Sequence, residues 1–526
     1  MSNNASIFNI PHIMESVGSY LDCEDRASCR LVNRSFDEHF KRLIWRNLVF
    51  QGSFHFEASK ADAEYLEALR DNSYLTRSVL IRANYHGSVL SVIASSHMLL
   101  RHLNSHIGFT GVDNNEVFVT RVLKIVDNNP DLLTWSMISE VTLTVDALIQ
   151  VPSLLKTRHC LEVLSLTLNQ SPCLAWLKYF LKSLPLSLKK LALTYWGPKL
   201  DDEEFQFVDP DWPNTYPNME VAAISTELEE EKEETIVQFL MRCPELKSLT
   251  YPPIANVRIS NPIAELGSRL HNLAELNLSW TGGIQETQWL DLVTSMKGRI
   301  RSFTTDSRFS RSSPNLIRLM VDHWHDTLES LRFNWFSSVY ASDLDLILAT
   351  CSKLKVLDCM WTTNYEDFQD IDLEGQDWVC SDLEVLRFMS VDHRAIHPGE
   401  SEQLIQESRT LRRVEHTYQQ LGRLVKLKDL TLGWGTLDPS PTCANLDMSL
   451  KGLEQMGGLK ELEVLDISHL PRVSIGLPEA QWIAKSWPML RMINGLRQRH
   501  RVQKKGAPYP DYILWLDSNR PDLTVQ

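Results

Sequence analysis

The stretch Leu273-Ala-Glu-Leu276-Asn-Leu278-Ser-Trp280 decides how the rest of the chain is read. In an extended backbone, residues two apart point the same way, so Leu276 and Leu278 share one face and Asn277 takes the other. Taken alone this is a short strand with an apolar side and nothing to cover it. The frame returns at Leu161/Leu164/Leu166, Leu188/Leu191/Leu193, Leu328/Leu331/Phe333, Leu354/Leu357/Cys359, Leu383/Leu386/Phe388, Leu427/Leu430/Leu432 and Leu462/Leu465/Ile467. Looser copies are Leu132/Trp135/Met137, Met219/Ala222/Ile224, Leu246/Leu249, Ile300/Phe303/Thr305, Leu411/Val414/His416 and Leu490/Ile493. Successive anchors lie 26 to 31 residues apart, except for one gap of 16 and one of 35 on either side of Leu427.

A unit of about 27 residues with an L-x-x-L-x-L core is the pattern of a leucine-rich repeat. One unit cannot bury its own apolar face, so units stack, each giving a parallel strand and a helix. The predicted fold is therefore α/β: a solenoid, horseshoe-shaped, with strands on its concave side and helices on its convex side. The helical halves are legible too. Ile236, Phe239, Leu240 and Cys243 fall on one face of a helix leading into Leu246, and Ser342 is placed to cap another carrying Leu344, Ile347 and Leu348. Cys243, Cys351 and Cys380 each stand three residues before an anchor leucine, where a small, partly apolar side chain suits a buried corner.

Composition bounds the function. The 526 residues carry a net charge of −14, the wrong sign for a general binder of nucleic acid or anionic membrane. No apolar run is long enough to span a membrane, and the first residues lack the pattern of a secretory leader, so an intracellular protein, cytoplasmic or nuclear, is expected. Nine cysteines with no C-x-x-C pair fit reduced, buried thiols. Phosphate-loop, nucleophile-elbow, zinc-helix and dinucleotide motifs are absent, which predicts a non-enzyme with no cofactor and no metal. Asp322-His323-Trp324-His325-Asp326 has ligand-like side chains but sits at a turn before Leu328, where polar residues are expected in any case.

Ahead of the repeats, residues 7–50 read as three short helices. Ile13, Met14, Val17 and Leu21 are the apolar positions of the first, opened by Ile10-Pro11. Asp25 is placed to cap a second carrying Cys29 and Val32, and Phe36, Phe40, Leu43 and Ile44 lie on a third that ends at Trp45. Ile10-Pro11, Ile13, Tyr20-Leu21-Asp22, Asp25, Arg30-Leu31-Val32-Asn33-Arg34, Phe36 and Trp45 together resemble the F-box of substrate receptors in SCF-type cullin–RING ubiquitin ligases. Ile10 stands where that family usually has Leu, and Arg26 where an apolar residue usually follows the Asp. Trp378-Val-Cys380-Ser-Asp-Leu383 and Tyr418-Gln-Gln-Leu421-Gly-Arg-Leu424 are similar to segments of F-box/leucine-rich-repeat proteins expanded in some fungi. The resemblance implies that Ile10, Pro11, Val17, Leu21, Val32, Phe36 and Trp45 form or support a surface for the Skp-type adaptor, and through it for cullin. The repeats would then hold a protein target. The alternative is a leucine-rich-repeat scaffold whose N-terminal helices only cap the array.

The remaining organisation follows from spacing. Residues 51–74 form a connector with a helix over 61–69, and 75–495 the solenoid, with a first strand near Ser78–Ala83 and degenerate repeats between Ser88 and Phe109. Asp201–Glu204 and Asp209–Pro213 read as a polar insertion, Gly433–Met448 as a long loop, Glu229–Glu234 as a solvated helix start, and 496–526 as a basic tail. Trp280, Trp335, Trp361 and Trp434 fall seven residues after their anchors, an offset shared by Tyr195, Tyr418 and His469. Such aromatics either line the concave face as anchors for a target or continue the inward parity beneath the next turn; spacing admits both.

Overall fold

The computed structural model describes residues 11–21, 23–50, 60–82, 87–96, 98–108, 115–197, 200, 205, 211–225, 230–251, 262–278, 286–305, 315–333, 341–363, 376–391, 414–434, 448–470, 473–497 and 509–526. It divides into two compact units, Met1–Leu246 and Lys247–Gln526.

In the first unit, β1 (Asn47–Phe50), β2 (Ser78–Ile81), β3 (His102–Ile107), β4 (Thr134–Ser139), β5 (Val163–Leu168), β6 (Lys190–Tyr195) and β7 (Val221–Ser225) pair in sequence order, all parallel. The register stacks equivalent positions: Leu48, Val79, Leu103, Trp135, Leu164, Leu191 and Ala222 form one row, all buried. Phe50, Ile81, Ser105, Met137, Leu166, Leu193 and Ile224 form the next. Helices cover that inner face. Val145–Leu155 buries Ala147, Leu148, Val151 and Leu155, and its N-cap Thr144 accepts the Ala147 amide. Leu174–Lys182 buries Trp176, Leu177, Phe180 and Leu181.

The second unit repeats the plan with β8 (Ser248–Tyr251), β9 (Glu275–Leu278), β10 (Ser302–Thr305), β11 (Ser330–Phe333), β12 (Val356–Thr363), β13 (Val385–Val391), β14 (Asp429–Trp434), β15 (Val464–His469), β16 (Met492–Asn494) and β17 (Thr524–Val525). Leu249, Leu276, Phe303, Leu331, Leu357, Leu386, Leu430, Leu465, Ile493 and Val525 make its inner row. Each such leucine contributes about 1.5–3 kcal/mol by leaving water, and none could do so in a turn standing alone. Each unit is thus a length of leucine-rich-repeat solenoid.

The corner before each strand is a recurring turn. The amides of Leu161, Leu246, Leu354 and Leu383 donate to the carbonyls three residues back, those of Arg158, Cys243, Cys351 and Cys380. All four of these corner residues are buried. The Cys-x-x-Leu spacing in the sequence is therefore a hydrogen-bonded turn whose first side chain points into the core.

Between Ser88 and Phe109, β3 carries Leu103 in the buried row and Ser105 in the next. Three expectations are corrected. The first strand is β1, earlier than Ser78: Trp45-x-x-Leu48-x-Phe50 is itself a copy of the frame, and β1 pairs with β2. Val414 and His416 are not in a strand, and Leu411 lies outside the described residues. Residues 414–423 are helical, and β13 pairs directly with β14, so one turn runs the 44 residues from Leu383 to Leu427. The assigned tail holds another turn, with a helix at Asp511–Asn519 and β17 paired to β16. More locally, Ser342 and Asp25 lie inside helices rather than capping them.

Candidate functional site

Three helices precede β1: α1 (Pro11–Tyr20), α2 (Cys23–Cys29) and α3 (Arg34–Arg46). On α1, Met14 and Gly18 are buried, while Ile13, Val17 and Tyr20, at i, i+4 and i+7, are exposed on the other side. Gly18 is a point of close approach, because a Cβ there would run into Leu43 Cδ1 on α3. Asn33 caps α3 by accepting the Phe36 amide at 3.0 Å. Arg30 pairs with Asp37 at 2.7 Å, and Arg46 pairs with Glu15. Arg26, the departure noted above, donates to the Gly18 carbonyl at 2.9 Å, tying α2 to the end of α1 by a polar bond.

The residues expected at an adaptor surface divide by burial. Val17 is 44% exposed and Val32 63%, beside Tyr20 at 90% and Leu31 at 88%. Leu21 and Phe36 are half-buried, Phe36 against Phe40 with ring centroids 5.7 Å apart. Trp45 is buried and stacks on Tyr65 at 6.4 Å, so it supports the joint to the first repeat and is not itself a contact surface. Pro11 opens α1, and Ile10 lies outside the described residues.

The solvent face of the second unit's sheet carries a charged row. The register aligns Asn277, Thr304, Arg332, Asp358, Arg387, Thr431, Asp466 and Asn494 across β9–β16. Arg387 sits between two carboxylates, 2.5 Å from Asp429 and 3.5 Å from Asp358. Asp358 is nearly buried, and that burial pushes its carboxyl above the usual range despite Arg387 and Arg332 nearby. The bond to Asp429 in turn raises the Arg387 guanidinium. On the first unit's sheet face Ser136, Ser165, Thr167, Ala192, Thr194 and Ala223 are small and uncharged, and His106 pairs with Glu140 at 2.9 Å.

The aromatic series does not hold together. Tyr195, at the end of β6, is buried, so it cannot be a target contact. Tyr418 lies on the helix 414–423, buried, with its hydroxyl accepting the Met448 amide at 3.0 Å. Trp361, Trp434 and His469 fall in β12, β14 and β15. Trp280 and Trp335 lie outside the described residues. Spacing within one turn does not point to the charged row, because its members sit at the variable position between framework residues, one per strand; the signal lies in that position taken down the register.

Other candidates resolve structurally. Trp324 is buried against Phe303, and His325 pairs with Asp326 at 3.3 Å just past the helix Asn315–Trp324. Among the described residues no group of three or more His, Cys, Asp or Glu is gathered for a metal, and no helix is long and apolar enough to cross a membrane. Burial pushes the Cys351 and Cys380 thiols up to about 12, the behaviour of corner-packing side chains rather than nucleophiles.

The chain is thus a leucine-rich-repeat protein fronted by a small helical domain. No family model and no curated protein matches its sequence. Solved structures similar to it include an internalin (inlF) from Listeria monocytogenes str. 4b F2365, 12% identical over 73% of this chain and 88% of that one, with a TM-score of 0.38. The leucine-rich repeat-containing protein LegL7 from Legionella pneumophila is 12% identical over 78% and 96%, at 0.30. The Rad7 and Elc1 complex in yeast is 12% identical over 100% and 98%, at 0.35. At these TM-scores the likeness assigns neither partner nor activity.

Proposed function

We propose that this protein is a non-catalytic substrate-recognition subunit of an SCF-type cullin–RING ubiquitin ligase. In this reading α1–α3 bind the Skp-type adaptor, and through it cullin, while a sheet face holds a protein target. Its work is to raise the effective concentration of the target at the ligating machinery. The observation that carries the reading is the exposed apolar set Ile13, Val17, Tyr20, Leu31 and Val32 on a domain whose other side is packed. A cap has no need of exposed aliphatic side chains on its outer side, whereas a docking surface does. The F-box resemblance supplies the partner's identity. The competing scaffold reading draws on the continuity of α3 with β1, which a cap also requires.

Co-purification of the full chain with the Skp-type adaptor tests the reading. Val17→Asp and Val32→Asp should abolish the association while far-UV circular dichroism and Tm stay unchanged. No association of the wild-type chain, or association that survives both substitutions together, would leave the scaffold reading in its place.

A further inference from the structure

The exposed apolar face of the helical domain is assembled from two pieces of backbone. Ile13, Val17 and Tyr20 lie on α1, and Leu31 and Val32 lie on the turn between α2 and α3. The second piece is fixed by its own bonds. The amides of Leu31 and Val32 donate to the carbonyls of Ser28 and Cys29 at 3.1 and 3.2 Å, Asn33 caps α3, and Arg30 on α2 pairs with Asp37 on α3 at 2.7 Å. The first piece is held by less. Gly18 lets α1 lie close against Leu43 and Phe40 of α3, and Glu15 pairs with Arg46 where each side chain is half-exposed, so that pair contributes little. From α2, Arg26 reaches across, its Nε donating to the Gly18 carbonyl at 2.9 Å. Gly18 lies in the last turn of α1, where carbonyls lack the usual amide four residues on; this one otherwise accepts the Leu21 amide at a long 3.4 Å. A guanidinium there makes a charge-assisted bond and meets the negative end of the helix dipole. The two arginines of α2 thus serve different neighbours: Arg30 secures α3, and Arg26 secures the end of α1 that carries Val17 and Tyr20.

We propose that Arg26 is a positioning residue for the adaptor surface: by holding the Gly18 carbonyl it sets Val17 and Tyr20 against Leu31 and Val32, so that the two pieces meet the adaptor as one face. A face formed before the encounter costs less to bind than one ordered during it. If the tie is lost, α1 and the α2–α3 turn each keep their packing on α3, but only a fraction of molecules presents the joined surface at any moment, and affinity falls by that fraction. This inference rests on the ligase reading and names the residue that pre-forms its docking surface.

The test is surface plasmon resonance with the Skp-type adaptor immobilised and the full chain in solution, read as separate association and dissociation rates. Arg26→Met keeps the length of the side chain and loses its donors. It should weaken binding about tenfold, with the loss in the association rate and the dissociation rate within about twofold of wild type, because the bound state is the same and fewer free molecules are ready for it. A residue that touches the adaptor directly would act mainly on dissociation. Arg26→Lys, which keeps a charged donor, should bring the association rate back to within about threefold of wild type. Tm of both variants should stay within about 2 °C of wild type. Arg70→Met, on the exposed side of the helix Lys60–Asn72, should change neither rate. An unchanged association rate in Arg26→Met overturns the inference, and so does a loss confined to dissociation, which would make Arg26 a contact. A lowered Tm with no recovery of association in Arg26→Lys overturns it as well, since Arg26 would then serve the fold alone. If wild type associates and Arg26→Met is indistinguishable from it, this inference fails and the ligase reading stands. If wild type does not associate, the ligase reading fails and takes this inference with it.

Discussion

Trp45 shows how much one residue's role depends on what packs against it. The F-box resemblance has it form or support an adaptor surface; the structure buries it, stacks it on Tyr65, and makes it the anchor of Trp45-x-x-Leu48-x-Phe50. Trp45→Ala should therefore cost about 3–5 kcal/mol in stability by urea denaturation, whereas Val32→Asp, on the surface, should stay within about 0.5 kcal/mol. Asp358 gives a second contrast. Its folded pKa is raised chiefly by burial, so the native state holds the proton more tightly than the unfolded chain and stability falls as pH rises through the folded value. Asp358→Asn should then be at least as stable as wild type at neutral pH, with the advantage vanishing in acid, where the native carboxyl is itself protonated. Arg387→Ala should do the reverse. It strands Asp358 and Asp429, at a cost on the order of 2 kcal/mol, less than for a fully buried pair because Arg387 is partly exposed. Denaturation at pH 7 and in mild acid separates the two. At this scale the sequence was a poor guide: burial of Tyr195 and exposure of Val17 depend on neighbours from other turns, and spacing within one turn does not reveal them.

The repeating element was far more legible, and its failures are instructive. Leu276 and its equivalents declared the strand because an apolar pair two apart must face a common interior. Leu411/Val414/His416 imitates that frame because a spacing of three also belongs to a helix. The deciding sixth position is His416, and Val414, Tyr418 and Leu421 follow at i, i+4 and i+7, a helical face in which Tyr418 and Leu421 are buried. Trp45-x-x-Leu48-x-Phe50 escaped notice for the opposite reason, with aromatics in two framework places and a helix running straight into it. Register between elements has its own device. The residue after each anchor alternates in sign through Glu329, Lys355, Glu384, Lys428, Glu463 and Arg491, with ion pairs at 2.7 Å for Glu329–Lys355 and 2.8 Å for Glu384–Lys428. Hydrogen bonds from these lysines hold Glu329 and Glu384 below the usual carboxylate range, and the same bonds hold Lys355 and Lys428 above theirs. Depressed carboxylates contribute stability above their unfolded pKa and lose it as pH falls through the folded one. Raised lysines contribute fully below their unfolded pKa and lose it as pH rises through the folded one. The contribution of these pairs to Tm should therefore be flat between those limits and fall on both sides. Glu384→Lys, which sets three like charges on adjacent turns, should lower Tm more than Glu384→Gln, and about 1 M salt should close the gap.

At the scale of the whole molecule, a repeat array is stable only as far as each turn has a neighbour, so its first turn needs a cover. That cover is α3, which packs against β1 and against the 3-10 turn Ser73–Leu75, while Trp45 at its end reaches Tyr65 on the helix Lys60–Asn72. The helical domain is thus joined to the first unit by shared core rather than by a linker, a boundary that composition could not mark because no Gly- or Pro-rich segment separates them. The domain's inner side completes the array, and its outer side, with Val17 and Val32 exposed, is the surface proposed above for the adaptor. On the proposed reading, removing residues 1–44 should do more than abolish adaptor association. It strips the cover from Leu48, Phe50 and Val79, so hydrogen exchange should quicken in β1 and β2 first and fade with distance toward β6, while exchange in β11–β15 stays at its wild-type rate. Val17→Asp combined with Val32→Asp should leave every one of those rates unchanged. Slow exchange in β1 after the truncation would mean that the array closes itself, and that the helices are present for the partner alone.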